Sequence, residues 1–135
     1  MKALARLRPA HGIAAMQSIN VVAVTPPLMI ALFGTALACV ALVASSLTKW
    51  REPVAMLRLV AGGLFLVGTV LVTIVRNVPM NDALAAVDPD SADGAAEWGR
   101  YVTSWTAWNT VRTVAAIAAA VMFSLTLMAG RSRDL

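Results

Sequence analysis

Three long apolar runs dominate the chain, and charge or proline bounds each of them. The first follows Thr25-Pro26-Pro27 and carries no charge from Leu28 to Thr48, where Lys49-Trp50-Arg51 ends it. A run of that length crosses a hydrocarbon core of about 30 Å at about 1.5 Å per helical residue. Thr25 is placed to cap the helix, and proline is tolerated in a first turn, where its missing N–H costs nothing. A polar turn, Arg51-Glu52-Pro53, leads into a second run over residues 54–76. Arg58 lies one turn inside it and can reach the interface along its own aliphatic stem. The third run, Thr113 to Gly130, is uncharged, rich in alanine and closed by Arg131-Ser132-Arg133. Asp90 or Asp93 can cap its helix, and no proline follows them, so one helix is predicted from about Gly94 to Ala129. Such a helix is roughly 54 Å long, so its first turns must project into water or lie along the membrane surface.

Composition turns these runs from core helices into membrane spans. Hydrophobic residues make up 59% of the chain and charged residues 13%, about half the charge a soluble domain uses to cover its surface. The fold class predicted is all-α, an integral membrane bundle in one domain. Residues 1–24 form an amphipathic N-terminal segment, 26–48, 54–76 and 108–130 are transmembrane helices, and 77–107 is an extracytoplasmic loop and helix extension. Ile13, Met16 and Ile19 recur every three residues after Pro9, as in a short helix lying on a bundle or bilayer. Residues 1–20 hold Lys2, Arg6, Arg8, Pro9 and His11, which is unlike a cleavable signal. The small pairs Gly34/Ala38, Thr69/Thr73 and Ala115/Ala119, and Gly62-Gly63, suit close helix packing.

Charge then sets topology and excludes function classes. The net charge of +4 forms no basic patch interleaved with aromatics, so nucleic acid is not a predicted partner. Lys49, Arg51, Arg58, Arg131 and Arg133 lie on one side of a three-span chain, while the 76–112 segment adds five acidic residues to Arg76, Arg100 and Arg112. The excess of Lys and Arg puts the 49–58 turn and the C-terminus in the cytoplasm and the acidic loop outside. Lys2, Arg6 and Arg8 then fall outside, against the same rule. A lone Cys39 cannot form an intramolecular disulfide, and with a lone His11 it makes a multi-ligand metal site unfavourable.

Two clusters carry candidate chemistry. Asn77-Val78-Pro79-Met80-Asn81-Asp82 ends the second span, and Pro79 predicts a helix stop with Asn77 capping a new short helix. Trp98, Tyr101, Trp105, Trp108, Asn109 and Arg112 fall within a sector of about 100° on one helix face. An interfacial aromatic belt explains the rings. It does not explain Asn109 and Arg112, which lie deepest, where polar groups face the protein interior and pair. The cluster predicts a pocket at the outer mouth of the bundle, with aromatic walls and a floor of Arg112, Asn109 and Asn77. Asn77, Asn81 and Asp82 are the available partners for the arginine. A flat, partly apolar ligand carrying a carbonyl or phenolate suits it.

The ordered set Asn77-Val-Pro-Met-Asn81, an acidic loop, then Trp98-x2-Tyr101-x3-Trp105-x2-Trp108-Asn109-x2-Arg112 resembles the anthrone oxygenase-like family of small integral membrane proteins. Leu4 to Asn20 also looks like the segment that follows that family's first helix. The resemblance implies a four-helix bundle of which this chain holds three helices, and, for a family widespread in bacteria, the cytoplasmic (inner) membrane. It also implies oxidation of an anthrone to an anthraquinone without a classical cofactor. The matching positions are Asn77, Asn81, Trp105, Trp108, Asn109 and Arg112. Arg112 and Asn109 are then the candidate catalytic residues, and Asn77, Asn81, Tyr101, Trp105 and Trp108 the substrate-binding ones. Thr110 departs from the pattern, since many members carry histidine after the Trp-Asn pair. The expected partners are the lipid bilayer and an aromatic small-molecule substrate, with a homo-oligomer left open. The alternative is a non-enzymatic membrane subunit or small-ligand-binding protein.

Overall fold

The computed structural model describes residues 1–131. Arg133, half of the basic C-terminal pair, lies outside them. After a short turn at Leu4–Arg6, the chain forms helices α1 (Pro9–Ala23), α2 (Pro26–Leu47), α3 (Pro53–Ala85) and α4 (Gly94–Arg131). Among the described residues there is no strand. α2, α3 and α4 are each long and apolar enough to cross a membrane. α3 is the central helix of the three: α2 packs chiefly on α3, and α4 packs on α3 and α1.

Proline opens the first three helices at the position where its missing N–H is harmless. Thr25 precedes α2 in an extended conformation, but its side chain makes no capping bond. α4 starts directly after Asp93 and runs for 38 residues, about 57 Å, so it overshoots a hydrocarbon core of about 30 Å.

α3 differs from the expected span that stops at Pro79. It continues through Pro79 to Ala85, and Asn77 sits inside it in helical conformation (φ −70°, ψ −43°) without capping anything. The reason lies in its winding. Leu64–Leu71 and Thr73–Asn77 are π-helical. The Val72 amide reaches back to the Val67 carbonyl and the Val78 amide to Thr73, each five residues earlier. A proline ring normally clashes with the carbonyl four residues before it. The wider π winding just ahead of Pro79 shifts that register and lets the helix pass.

Small residues set the helix spacing, though not at every expected pair. A Cβ at Gly68 would lie 2.4 Å from the Ala115 Cβ, and one at Gly62 would lie 2.5 Å from Val43 Cγ2, beside the buried Cys39 of α2. Ala115 and Ala119 are buried, as is Thr69. Gly63 faces open space. Gly34 and Ala38 lie on an exposed face of α2, so they do not form the packing pair their spacing suggested.

One end of the bundle carries a cap. Ile13 and Met16 of α1 bury themselves against Leu84 of α3 and Trp98 and Tyr101 of α4. Ile19, expected on the same face, is 47% exposed. Steps of three residues slip back about 60° each around a helix, so by residue 19 the side chain has left the contact. The Gln17 amide donates to the Leu84 and Val87 carbonyls, each at 2.9 Å. It thereby binds the Val87 carbonyl just past the end of α3 and adds a second bond to the Leu84 carbonyl, which also accepts from the Val87 amide at 3.1 Å.

Candidate functional site

The cap, the last turns of α3 and the first turns of α4 enclose a polar cluster built around Asn81. Its Oδ1 accepts two hydrogen bonds at 2.9 Å, from the Tyr101 hydroxyl and from Trp105 Nε1. Tyr101 and Trp105 stand four residues apart on α4, so one helix face presents both donors to one acceptor. Their rings stack at 6.3 Å, and Tyr101 stacks on Trp98 at 5.8 Å. Trp98 is held in turn by α1, where a Cβ at Gly12 would lie 2.6 Å from its ring. The three rings therefore form a wall in which the Tyr101 hydroxyl and Trp105 Nε1 are already bound.

One turn deeper on α3, Asn77 is 2% exposed, and neither its Oδ1 nor its Nδ2 has a hydrogen-bond partner. Deeper still, Thr69 donates to the Arg112 carbonyl at 3.4 Å, and the buried Nε of Arg112 has no partner. The expected hydrogen bond between Arg112 and Asn77 is not formed, and Asp82 is exposed. Asn109 is half-buried, with its carbonyl taken by the Thr113 hydroxyl at 2.8 Å. Trp108 turns to Arg76, whose guanidinium lies 4.7 Å from the ring centre. That cation–π contact is the anchoring arrangement of an interfacial belt. Of the residues singled out in the sequence, the structure thus joins Asn81, Tyr101 and Trp105 directly, sets Asn77 and Arg112 below them with open valences, and gives Trp108 a separate partner.

α1 contributes a residue the sequence reading did not select. Asn20 approaches the Tyr101 hydroxyl, and its buried Nδ2 completes no hydrogen bond. Its only sequence signal was a place in the segment between Pro9 and the first span.

A buried polar atom without a partner costs about 1–3 kcal/mol. Here the open atoms are the Nδ2 groups of Asn20 and Asn77, the Asn77 Oδ1, the Thr106 hydroxyl and the Arg112 Nε. Three of these five atoms are N–H donors, which fits an oxygen acceptor on a ligand. Among the described residues no three of His, Cys, Asp and Glu come together as metal ligands would.

Three helices long and apolar enough to cross a membrane define a multi-pass helical membrane protein, with a buried polar cluster and an aromatic wall at one end. The chain belongs to the anthrone oxygenase family, whose model matches residues 13–122. The matched stretch includes Asn20, Asn77, Asn81, Tyr101, Trp105, Asn109 and Arg112. No curated protein and no solved structure matches the chain.

Proposed function

We propose that this protein binds an oxygenated aromatic compound of the polyketide type at the outer membrane face and oxidises it with dioxygen. The observation that carries the reading is the pair of open donors, Asn77 Nδ2 and Arg112 Nε, buried beneath a wall of stacked rings. An anthrone has an acidic CH2 opposite its carbonyl, and loss of a proton there puts negative charge on the oxygen. Donors fixed in advance around that oxygen favour the anion, and a guanidinium is the strongest of them. The electron-rich anion then reduces dioxygen. Overall, anthrone plus O2 gives anthraquinone plus H2O, one oxygen atom going to the product and one to water. The excess of Lys and Arg on the 49–58 turn supports a cytoplasmic C-terminus, which puts the site outside.

The test is oxygen uptake by purified protein with anthrone. Uptake above the uncatalysed rate, reduced at least about 100-fold by Arg112→Ala, is expected from the loss of one oxyanion donor. No uptake above that rate refutes the oxidation.

One observation favours binding without turnover. Thr110 is exposed and its hydroxyl is spent on the Thr106 carbonyl, while His11 is exposed at the start of α1. No imidazole therefore serves as base at the cluster. Tight ligand binding with no oxygen uptake would select this reading.

A further inference from the structure

A cleft opens beside the polar cluster, between the last turns of α3 and the first turns of α4. It measures about 200 Å³ and is lined by Met80, Ala83, Leu84 and Val87 on one side and by Tyr101 and Ser104 on the other. Glu97 and Arg100 also border it and form an ion pair with each other. We infer that this cleft is a ring-sized subsite that receives one aromatic ring of a ligand from the aqueous side and limits which ligands fit.

Size names the occupant. An apolar cavity of about 150 Å³ takes up benzene, so about 200 Å³ holds one substituted ring, and the other rings of a fused ligand lie outside the open cleft. The lining agrees with the size. Leu84 and Tyr101 are buried and fixed in the core of the cap. The Tyr101 hydroxyl is tied to Asn81, which orients its ring as a rigid wall. Met80 adds a polarizable thioether, which favours contact with aromatic edges.

Position disfavours a lipid tail. Glu97 and Arg100 are both substantially exposed, and they stand on the part of α4 ahead of the uncharged run that begins at Thr113. Charged side chains at that level favour the aqueous or headgroup layer, which a soluble phenol reaches more readily than an acyl chain. An exposed ion pair one turn apart on a helix holds weakly, so it yields easily to an entering ring. Tyr101 belongs to the cleft and to the cluster around Asn81, so a ring in the cleft lies against the aromatic wall of that cluster. The inference rests on the proposed aromatic ligand, though not on its oxidation.

The experiment titrates 4-fluorophenol onto the full chain in lipid nanodiscs and follows the fluorine NMR signal, with empty nanodiscs as reference. Ala83 is exposed and lines the cleft, so Ala83→Trp fills it without disturbing the core. Met80→Ala enlarges it. Binding above the lipid reference is expected in the unaltered chain, weakened at least tenfold by Ala83→Trp. Met80→Ala is expected to shift preference at least threefold from 4-fluorophenol towards 2-naphthol. Equal binding in all three proteins, or binding no greater than that of empty nanodiscs, overturns the subsite. Oxygen uptake with anthrone is read separately on the unaltered chain, so a failed oxidation and a failed subsite give different results.

Discussion

Gly68→Ala measures how tightly the site's two main helices are held. The added Cβ would lie 2.4 Å from the Ala115 Cβ, while carbon atoms sit comfortably at about 3.5–4.0 Å. α3 and α4 must therefore part locally by about 1.1–1.6 Å. Overpacking of this kind costs about 1–3 kcal/mol. Alanine returns about 1 kcal/mol through its better helix propensity, so the single variant loses between nearly nothing and about 2 kcal/mol. The informative quantity is the double variant. Ala115→Gly removes the opposing methyl, so Gly68→Ala/Ala115→Gly should be more stable than the sum of the two single changes by about 1–3 kcal/mol. Reversible unfolding in mixed micelles, followed by circular dichroism, gives all four corners of the cycle. The parting also reaches the site, because the neighbouring Thr69 hydroxyl is already 3.4 Å from the Arg112 carbonyl and has no slack as a hydrogen bond. Ligand affinity should fall in Gly68→Ala and recover in the double variant. Additivity within about 0.5 kcal/mol would mean that the helices do not touch at this level, and the close-approach argument would fail.

Asn77→Leu should raise stability by about 1–3 kcal/mol while abolishing ligand binding, because it removes a buried amide with two open valences. A loss of stability in that variant would mean that the amide is satisfied in the folded protein. Gln17→Ala removes two hydrogen bonds to the end of α3 and should cost about 1–3 kcal/mol. Hydrogen exchange should rise selectively at residues 84–87, and uniform exchange across the chain would count against the capping role. Tyr101→Phe keeps the stacking on Trp98 but deletes one donor to Asn81. It should cost about 0.5–1.5 kcal/mol, and an unchanged unfolding midpoint would show that the Asn81 bonds add nothing to stability.

Span number was readable because uninterrupted apolar length is itself the physical requirement for crossing a bilayer. The aromatic and polar stripe on α4 was readable for a similar reason, since spacing on a long helix fixes which side chains share a face. The passage of α3 through Pro79 was not readable. A largely apolar run looks much the same in α or π winding, so Leu64–Val75 shows no sign of the switch. Small-residue spacing showed where helices can approach but not where they do. Ala115/Ala119 found a partner and Gly34/Ala38 did not, because that outcome depends on which helix lies opposite. Asn20 and Gln17 were missed because their roles depend on α1 folding over the ends of α3 and α4, a contact between residues some 70 or more positions apart.

The π winding of α3 also makes the site sensitive to chain length. Removing any one apolar residue between Leu64 and Asn77, with the winding of the rest kept, would leave the run nearly as hydrophobic as before. It would turn everything beyond that point by about 80–100°. Asn77 and Asn81 would swing away from α4, and Tyr101 and Trp105 would lose their common acceptor. The aim of the site is thus stored in the number of residues in a greasy stretch and not in their identities. Relatives with the same asparagines but one residue fewer in that stretch would carry the full motif facing the wrong way.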